Sequence, residues 1–383
     1  GEGLDSRMLV SLKEREDVEI VGAETTLANF SRRLRLGMDK LPLLRYPQRP
    51  RTPFSTQWLP NGLVRQVRAM KPDIVNLHWI GHGMISIASL SDLPGPIVWT
   101  LHDVWPFTGG CHVNDDCYRY RHACGCCPQL GSAQAHDLSN KIWRHKQERW
   151  RNVELTLVAP SQWMARVAEE SQLLPQATIE VIPHGIDTQI YRPHGKQQAR
   201  AKMNLPLEKQ LILFGSAGGR RHKGFDLLHQ AIDRLGPEKR KAVNLVLFGP
   251  EQSGLDSLGI EAYKIGNIAD EEKLATLYSA ADITVVPSRQ ESFGLIALES
   301  LACGTPVVAF ATSGLLDIID HLEDGYLARP FAADDLAAGM IWTLANEARV
   351  VQLGENARRK AVSKFEITAQ AARYQTLYKK LRQ

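Results

Sequence analysis

Between residues 282 and 310 the chain switches between short apolar runs and polar turns, DITVVPSRQESFGLIALESLACGTPVVAF. Residues 282–287 are apolar, too few for a helix, and rich in Val, Ile and Thr, which predicts a buried strand. Residues 288–292 form a charged polar turn. Residues 294–303 have helical spacing, and Gly304-Thr305-Pro306 stops them before a second apolar run, Val307–Phe310. Strand, loop, helix and strand in this order build a parallel sheet, so the predicted class is α/β. The helix opens at Phe293-Gly294-Leu295, where no long side chain blocks the backbone N–H groups, and such a start can hold a phosphate. Glu291 precedes that helix and Glu299 lies two turns inside it. At 1.5 Å per residue their Cα atoms are about 12 Å apart. That is too far for paired acid/base work, but it suits gripping both ends of a ligand with an anionic middle.

The same periodicities recur along the chain. Strands are predicted over 18–21, 73–78, 96–101, 154–158 and 179–183, with helices over Leu63–Met70, 137–150 and 161–170. A polar stretch follows near 185–200. A second set then begins, with strands over 211–215, 244–249, 263–266 and Gly325–Ala328. Its helices are predicted over 225–232, 271–279, 334–344, 347–362 and 368–381. A chain of 383 residues also favours two domains, because single cores seldom grow past ~250–300 residues. The predicted division is 1–185, 186–365 and a terminal helix at 366–383.

Composition narrows the class. Hydrophobic residues are 44% and charged residues 23%, as in globular proteins, and the formal charge of +4 does not suggest a nucleic-acid binder. No run of about 18 apolar residues could span a membrane. No signal peptide is visible, and the opening GEGLDSRMLV suggests a trimmed or incomplete N-terminus. The stretch 30–51 is basic, with Arg32, Arg33, Arg35, Lys40, Arg45, Arg49 and Arg51 against Asp39, and leucines interleave with the charges. It is either a patch for an anionic membrane surface or lipid-linked anionic substrate, or a solvated face with its leucines in the core.

Candidate chemistry gathers at strand ends. His78, His82 and His102 lie there, where open parallel sheets place ligands. His102 could donate to a sugar hydroxyl or phosphate, or cap its strand against Asp103. Gly215 and Ser216 open a glycine-rich loop with Arg220, Arg221 and Lys223, which suits a diphosphate, although the glycine spacing is neither a P-loop nor a dinucleotide fingerprint. Asn267 and Ile268 follow a strand ending in small residues, a slot whose backbone could read a flat base. Five cysteines fall between 111 and 127. Cys111, Cys117, Cys124 and Cys127 could hold a structural zinc, with disulfides or free thiols as alternatives. Trp143 and Trp150 share a helix face and either pack on the sheet or meet lipid.

These residues are recognisable together. ESFGLIALESLACGTPVVAF with Glu291 and Glu299, KGFDLL at 223–228 and IPHGIDTQIYRP at 182–193 resemble a GT-B retaining glycosyltransferase of family 4 over essentially the full length. LHW at 77–79, TLHDVWPFTGGC at 100–111 and CPQLG at 127–131 resemble the subset that assembles bacterial exopolysaccharide, capsule or colanic-acid-type glycans. The resemblance implies two Rossmann-like domains facing each other across a cleft, and a terminal helix that crosses back to the first. It implies a nucleotide-sugar donor (UDP- or GDP-linked), a saccharide or lipid-linked acceptor, no catalytic cofactor, and a cytoplasmic protein, peripheral on the membrane. Glu299 would bind ribose hydroxyls and Glu291 donor-sugar hydroxyls. The backbone of Phe293, Gly294 and Leu295 would bind the diphosphate, with Lys223 and Arg221 beside it, and His102 would lie at the donor sugar. Two departures stand out. The family's Gly-Arg pair is Gly215-Ser216 here, and the first strand with its glycine-rich loop is not recognisable. A degenerate scaffold protein, or an epimerase or phosphorylase of the same architecture, is the alternative.

Overall fold

The computed structural model describes residues 5–11, 19–22, 26–50, 52–60, 62–215, 221–250 and 258–383. The chain divides into two units. Unit 1 comprises Gly1–Pro160, Met164–Ile182 and Ala372–Gln383; unit 2 comprises Ser161–Trp163 and Pro183–Ala371.

In unit 1, β1 (Met8–Leu9) and β2 (Ile20–Val21) form a short parallel pair. Val18, in the expected first strand, lies outside the described residues. The main sheet has four parallel strands in sequential order, β3 (Val75–His78), β4 (Ile97–Thr100), β5 (Leu155–Ala159) and β6 (Thr178–Val181). β4 and β5 are buried along their whole length, as expected for parallel strands covered on both faces. The helix Leu138–Trp150 starts where the Asp137 carboxylate accepts from the N–H groups of Ser139 and Asn140. Trp143 and Trp150 are both buried, and the Trp150 indole N–H donates to the Ile87 carbonyl at 2.8 Å, so the packed alternative holds and the lipid one does not. The C-terminal helix Ile367–Leu381 adds Leu377 to the core of Val98, Val158 and Ile182, and its Tyr374 and Tyr378 hydroxyls bond to Thr100 and Asn76.

Unit 2 begins a second, larger sheet. Its strands are β7 (Gln210–Gly215), β8 (Val243–Phe248), β9 (Ala262–Gly266), β10 (Ile283–Val286), β11 (Val307–Phe310) and β12 (Gly325–Ala328). All pair in parallel, in the order β12-β11-β10-β7-β8-β9. The chain runs outward from β7 to β9, then returns to lay β10 on the other side of β7. This reversal opens a crevice between the C-terminal ends of β7 and β10, the place where open α/β sheets bind ligands. One face is packed by the helices Leu295–Ala302 and Glu347–Lys364, the other by Phe225–Asp233 and Ala333–Leu344. Leu298 and Leu301 are fully buried, and each stabilises the fold by roughly 2 kcal/mol. That burial fixes the helix whose first turn faces the crevice.

The basic N-terminal stretch is not simply a solvated face over core leucines. In the helix Thr26–Asp39 and the turn Leu41–Arg45, Leu43 is buried, but Phe30, Leu34, Leu41 and Leu44 are exposed. Arg35 is tied to the carbonyls of Gly83, Pro60 and Leu59. Arg51 and the side chain of Arg32 lie outside the described residues.

Candidate active site

The crevice of unit 2 is built by two loops that approach closer than side chains would allow. Arg221–Lys223 form a short turn after β7, and Gly224 follows with φ of 70°. A Cβ there would stand 1.8 Å from the Pro287 carbonyl, so only glycine lets this loop rest on the end of β10. Ser216 and Arg220 lie outside the described residues. Gly215 closes β7 against Phe248, whose ring a Cβ would meet at 2.3 Å.

Lys223 thereby reaches Glu291, Nζ to Oε1 at 2.7 Å, with both side chains largely shielded from solvent. Ser288 Oγ donates to the same carboxylate oxygen at 2.7 Å, and the Glu291 N–H donates to Ser313 Oγ at 2.9 Å. The expectation gave Lys223 to a diphosphate and Glu291 to a sugar; in the structure they hold each other. Arg221 is exposed, and its carbonyl accepts from Arg289, which also grips Asp226 through both carboxylate oxygens. Arg289 and Asp226 are braces that sequence reasoning missed.

The helix Leu295–Ala302 starts after Gly294, whose φ of 116° no side chain adopts comfortably. Phe293 is fully buried between the rings of His184 and Phe365, with centroids 5.3 and 5.9 Å away. Gly314 presses on it from above: a Cβ would lie 2.6 Å from the Phe293 Cα. The first turn of this helix is therefore locked in place before any ligand arrives. Two turns on, Glu299 is largely buried and accepts from the Tyr278 hydroxyl at 2.6 Å. Burial pushes its carboxyl up to about 7, against the Tyr278 hydrogen bond, with Glu271 adding to the rise. Asn267 is exposed and Ile268 half-buried in the coil after β9.

In unit 1, His102 follows β4 and meets His78 at the end of β3, Nε2 to Nδ1 at 2.9 Å. Burial lowers both imidazoles, and for His78 the neighbouring His102 adds to it, so both are neutral at pH 7. Asp103 does not serve only the strand end. Its carboxylate accepts from the Trp105 N–H and bonds His112 Nδ1 at 2.6 Å. His112 Nε2 in turn meets Ser55 Oγ at 2.7 Å. The spacing of Ser55, Asp103 and His112 along the chain carried no signal of this contact.

The cysteine loop does not form the zinc cage that was considered. Cys111, Cys117, Cys124 and Cys127 line one cavity, yet all six cysteines are unlinked thiols. Among the described residues no group of three or more His, Cys, Asp or Glu side chains is placed to hold a metal ion. One of these four sulfurs and the neighbouring Cys126 bond to the backbone. Cys124 accepts from the Gly109 N–H at 3.2 Å, and Cys126 donates to the Ala133 carbonyl at 3.3 Å. Zinc and disulfides both lack support in this geometry.

Comparison with known proteins agrees with the fold. Residues 12–190 match Glycosyltransferase Family 4, and residues 195–360 match Glycosyl transferases group 1. A D-inositol 3-phosphate glycosyltransferase of Thermobispora bispora is 31% identical over 310 residues, 75% of this chain and 68% of that protein. One from Mycobacteroides abscessus is 39% identical over 175 residues, 42% of this chain and 38% of that protein. Among solved structures, sucrose-phosphate synthase from Thermosynechococcus elongatus superposes with a TM-score of 0.65 at 24% identity, covering 83% of this chain and 77% of that one. Anabaena Alr3699/HepE, solved with UDP, gives 0.63 at 18% identity, covering 83% and 82%. The two Rossmann-like units thus define a glycosyltransferase of the GT-B fold. Within that class the chain belongs to the family 4, group 1 glycosyltransferases.

Because the Glu299 carboxyl is raised in the fold, its effect on stability has a definite sign. Below about pH 4.5 it is protonated folded or unfolded and costs nothing. As pH climbs through about 7, only the unfolded chain ionises it freely, and roughly 3 kcal/mol of stability is lost. Glu299→Gln is therefore expected to match the wild type at pH 4.5 and exceed it at pH 8 in denaturant unfolding. An equal gap at both pH values would contradict the buried-carboxylate account.

Proposed function

We propose that the protein transfers a hexose from a nucleoside diphosphate sugar bound in unit 2 to a hydroxyl of a saccharide acceptor. Configuration is retained and no metal takes part. The observation that carries this reading is the crevice at the sheet reversal. There a locked helix start and the largely buried carboxylate of Glu299 stand on one strand–helix unit, and Lys223 from the loop after β7 reaches the Glu291 of that unit. A fold neighbour solved with UDP-glucose, Alr3699/HepE, supports the donor class.

In this reading the Glu299 carboxylate accepts from the ribose hydroxyls. A pair of hydroxyl donors favours the charged form that burial disfavours, so binding would relieve the cost of burying this carboxyl. The N–H groups of Phe293, Gly294 and Leu295 take the diphosphate, aided by the positive end of the helix. Gly215 gives the phosphates room, and Arg221 adds charge. The backbone at Asn267 and Ile268 reads the base. Breaking the anomeric C–O bond puts negative charge on the leaving diphosphate, where Lys223 and the helix start are preorganised to receive it. Lys223 then shares its charge between phosphate and Glu291, leaving the other oxygen of Glu291 for a sugar hydroxyl. The acceptor oxygen bonds to the anomeric carbon as the C–O bond opens, and its proton passes to the leaving phosphate.

The acceptor assigned is a lipid-linked glycan of surface polysaccharide. It is supported by the LHW and CPQLG segments and by the exposed Phe30, Leu34 and Leu44 beside Arg33, Lys40 and Arg45, which fit an anionic membrane surface. No helix among the described residues is long and apolar enough to cross a membrane. Flotation with phosphatidylglycerol vesicles is expected to carry the protein upward and to lose it when Leu34 and Leu44 are replaced by Ser. Equal flotation of that variant would remove the membrane assignment.

A thermal-shift screen with UDP, GDP, ADP, CMP and their common sugars tests the donor site, since a ligand of the native state raises apparent stability by mass action. One diphosphate is expected to stabilise the wild type and to lose its effect in Glu299→Ala. No shift from any nucleotide would instead support a binding or scaffold role.

A further inference from the structure

Unit 1 carries a narrow slot beside the exposed Trp79, with room for little more than a water molecule. It lies between the ends of β3 and β4 and is lined by Trp79, Gly81, His102, Asp103, Trp105 and His112. Trp79 is unusual in two respects. It is 45% exposed, although large aromatic side chains in this unit are otherwise mostly buried, and its backbone sits at φ of 35°. An exposed tryptophan held in the left-handed region gains nothing for the fold that a smaller residue would not give, and strain of this kind gathers at binding sites.

The surroundings hold this ring still. The His82 ring meets the Trp79 ring edge-on at 4.9 Å, and the His112 ring lies 5.6 Å away, tilted by 35°. His112 is fixed at both nitrogens, by Asp103 at 2.6 Å and by Ser55 at 2.7 Å. Ser55 Oγ also accepts from the His82 N–H at 2.9 Å, and the Ser55 carbonyl accepts from the Trp105 indole at 2.9 Å. Serine, histidine and aspartate in this order resemble a nucleophile relay. Ser55, however, is fully buried and bonded on two sides, so the chain acts as a brace. Gly81 belongs to it: a Cβ there would stand 2.8 Å from the His112 ring.

We propose that Trp79 is the stacking platform of the acceptor site, and that the ring it receives is an uncharged pyranose or cyclitol and not a phosphorylated one. This rests on the transferase reading above. The C–H face of a sugar ring lies on the exposed indole, and its hydroxyls reach imidazole and carboxylate atoms at the rim. Among the described residues lining the slot there is no Lys or Arg, and Asp103 contributes a carboxylate, which opposes a phosphate. The neutral state of His78 and His102 supports the same conclusion, since neither supplies a cation at pH 7. In this the slot departs from what the name of the D-inositol 3-phosphate glycosyltransferases implies for their acceptor.

The test is saturation-transfer NMR on the full chain without nucleotide. The probes are methyl β-D-glucopyranoside, methyl α-D-mannopyranoside and myo-inositol, against glucose 6-phosphate and myo-inositol 1-phosphate. At least one neutral ring is expected to receive saturation on its C–H face. Trp79→Ala is expected to weaken it about tenfold, and Trp79→Phe to restore part of the loss. Trp79→Gly distinguishes a binding role from a structural one: it releases the backbone strain, so the protein becomes no less stable while ring binding is lost. Tighter binding of a phosphorylated ring, no saturation of any neutral ring, or unchanged binding in Trp79→Ala would each overturn the proposal. UDP and GDP thermal shifts on the same samples separate the failures. If neither nucleotide stabilises the wild type, the transferase reading has failed; if one does while Trp79 has no effect, only the acceptor platform has.

Discussion

Everything at the donor crevice depends on backbone approach. Three glycines, Gly224, Gly294 and Gly314, let the loops after β7, β10 and β11 lie against one another where any Cβ would collide. That contact places Lys223 on Glu291 and sets the open end of the helix Leu295–Ala302 at the sheet reversal. The helix cannot retreat, because Leu298 and Leu301 are buried behind it and Phe293 is wedged between two aromatic rings. Rigidity of this kind matters for charge stabilisation. Donors fixed before the reaction need no reorganisation as the leaving group gains charge.

The electrostatic arrangement follows from the same packing. A lysine facing a crevice that awaits an anion would be costly to leave alone in a shielded position, and Glu291 offsets that cost until the ligand comes. Glu299 is treated differently. Its partner is a phenol and not a cation, so the fold carries a raised carboxyl that ribose hydroxyls would satisfy. One carboxylate is neutralised by a charge and the other waits for hydrogen-bond donors, and this difference fits two ends of one extended ligand.

The parts of this account that repeat at short range were legible in the sequence. β11 and β12 and the helix Leu63–Met70 have the predicted bounds, because apolar run length and the flanking glycines and prolines define them locally. The donor unit was legible for the same reason, with Glu291, Gly294 and Glu299 lying in one strand–loop–helix segment. What could not be read are contacts between distant segments. Ser55, Asp103 and His112 meet only through folding, as do Lys223 with Glu291 and Tyr278 with Glu299. The cysteines show the opposite failure. Their spacing allowed a metal cage, but spacing cannot say where sulfurs point, and those of Cys124 and Cys126 bond to backbone groups.

The measurement that reaches the central claim most directly is a phosphorus NMR titration of UDP, with GDP in parallel, against the wild type and Lys223→Met. If the crevice binds a nucleotide diphosphate, both phosphorus resonances of one nucleotide shift on adding protein, and the lysine variant weakens the effect about tenfold through loss of a charge-assisted contact. Resonances of both nucleotides that stay in place beside folded, concentrated protein would contradict the account.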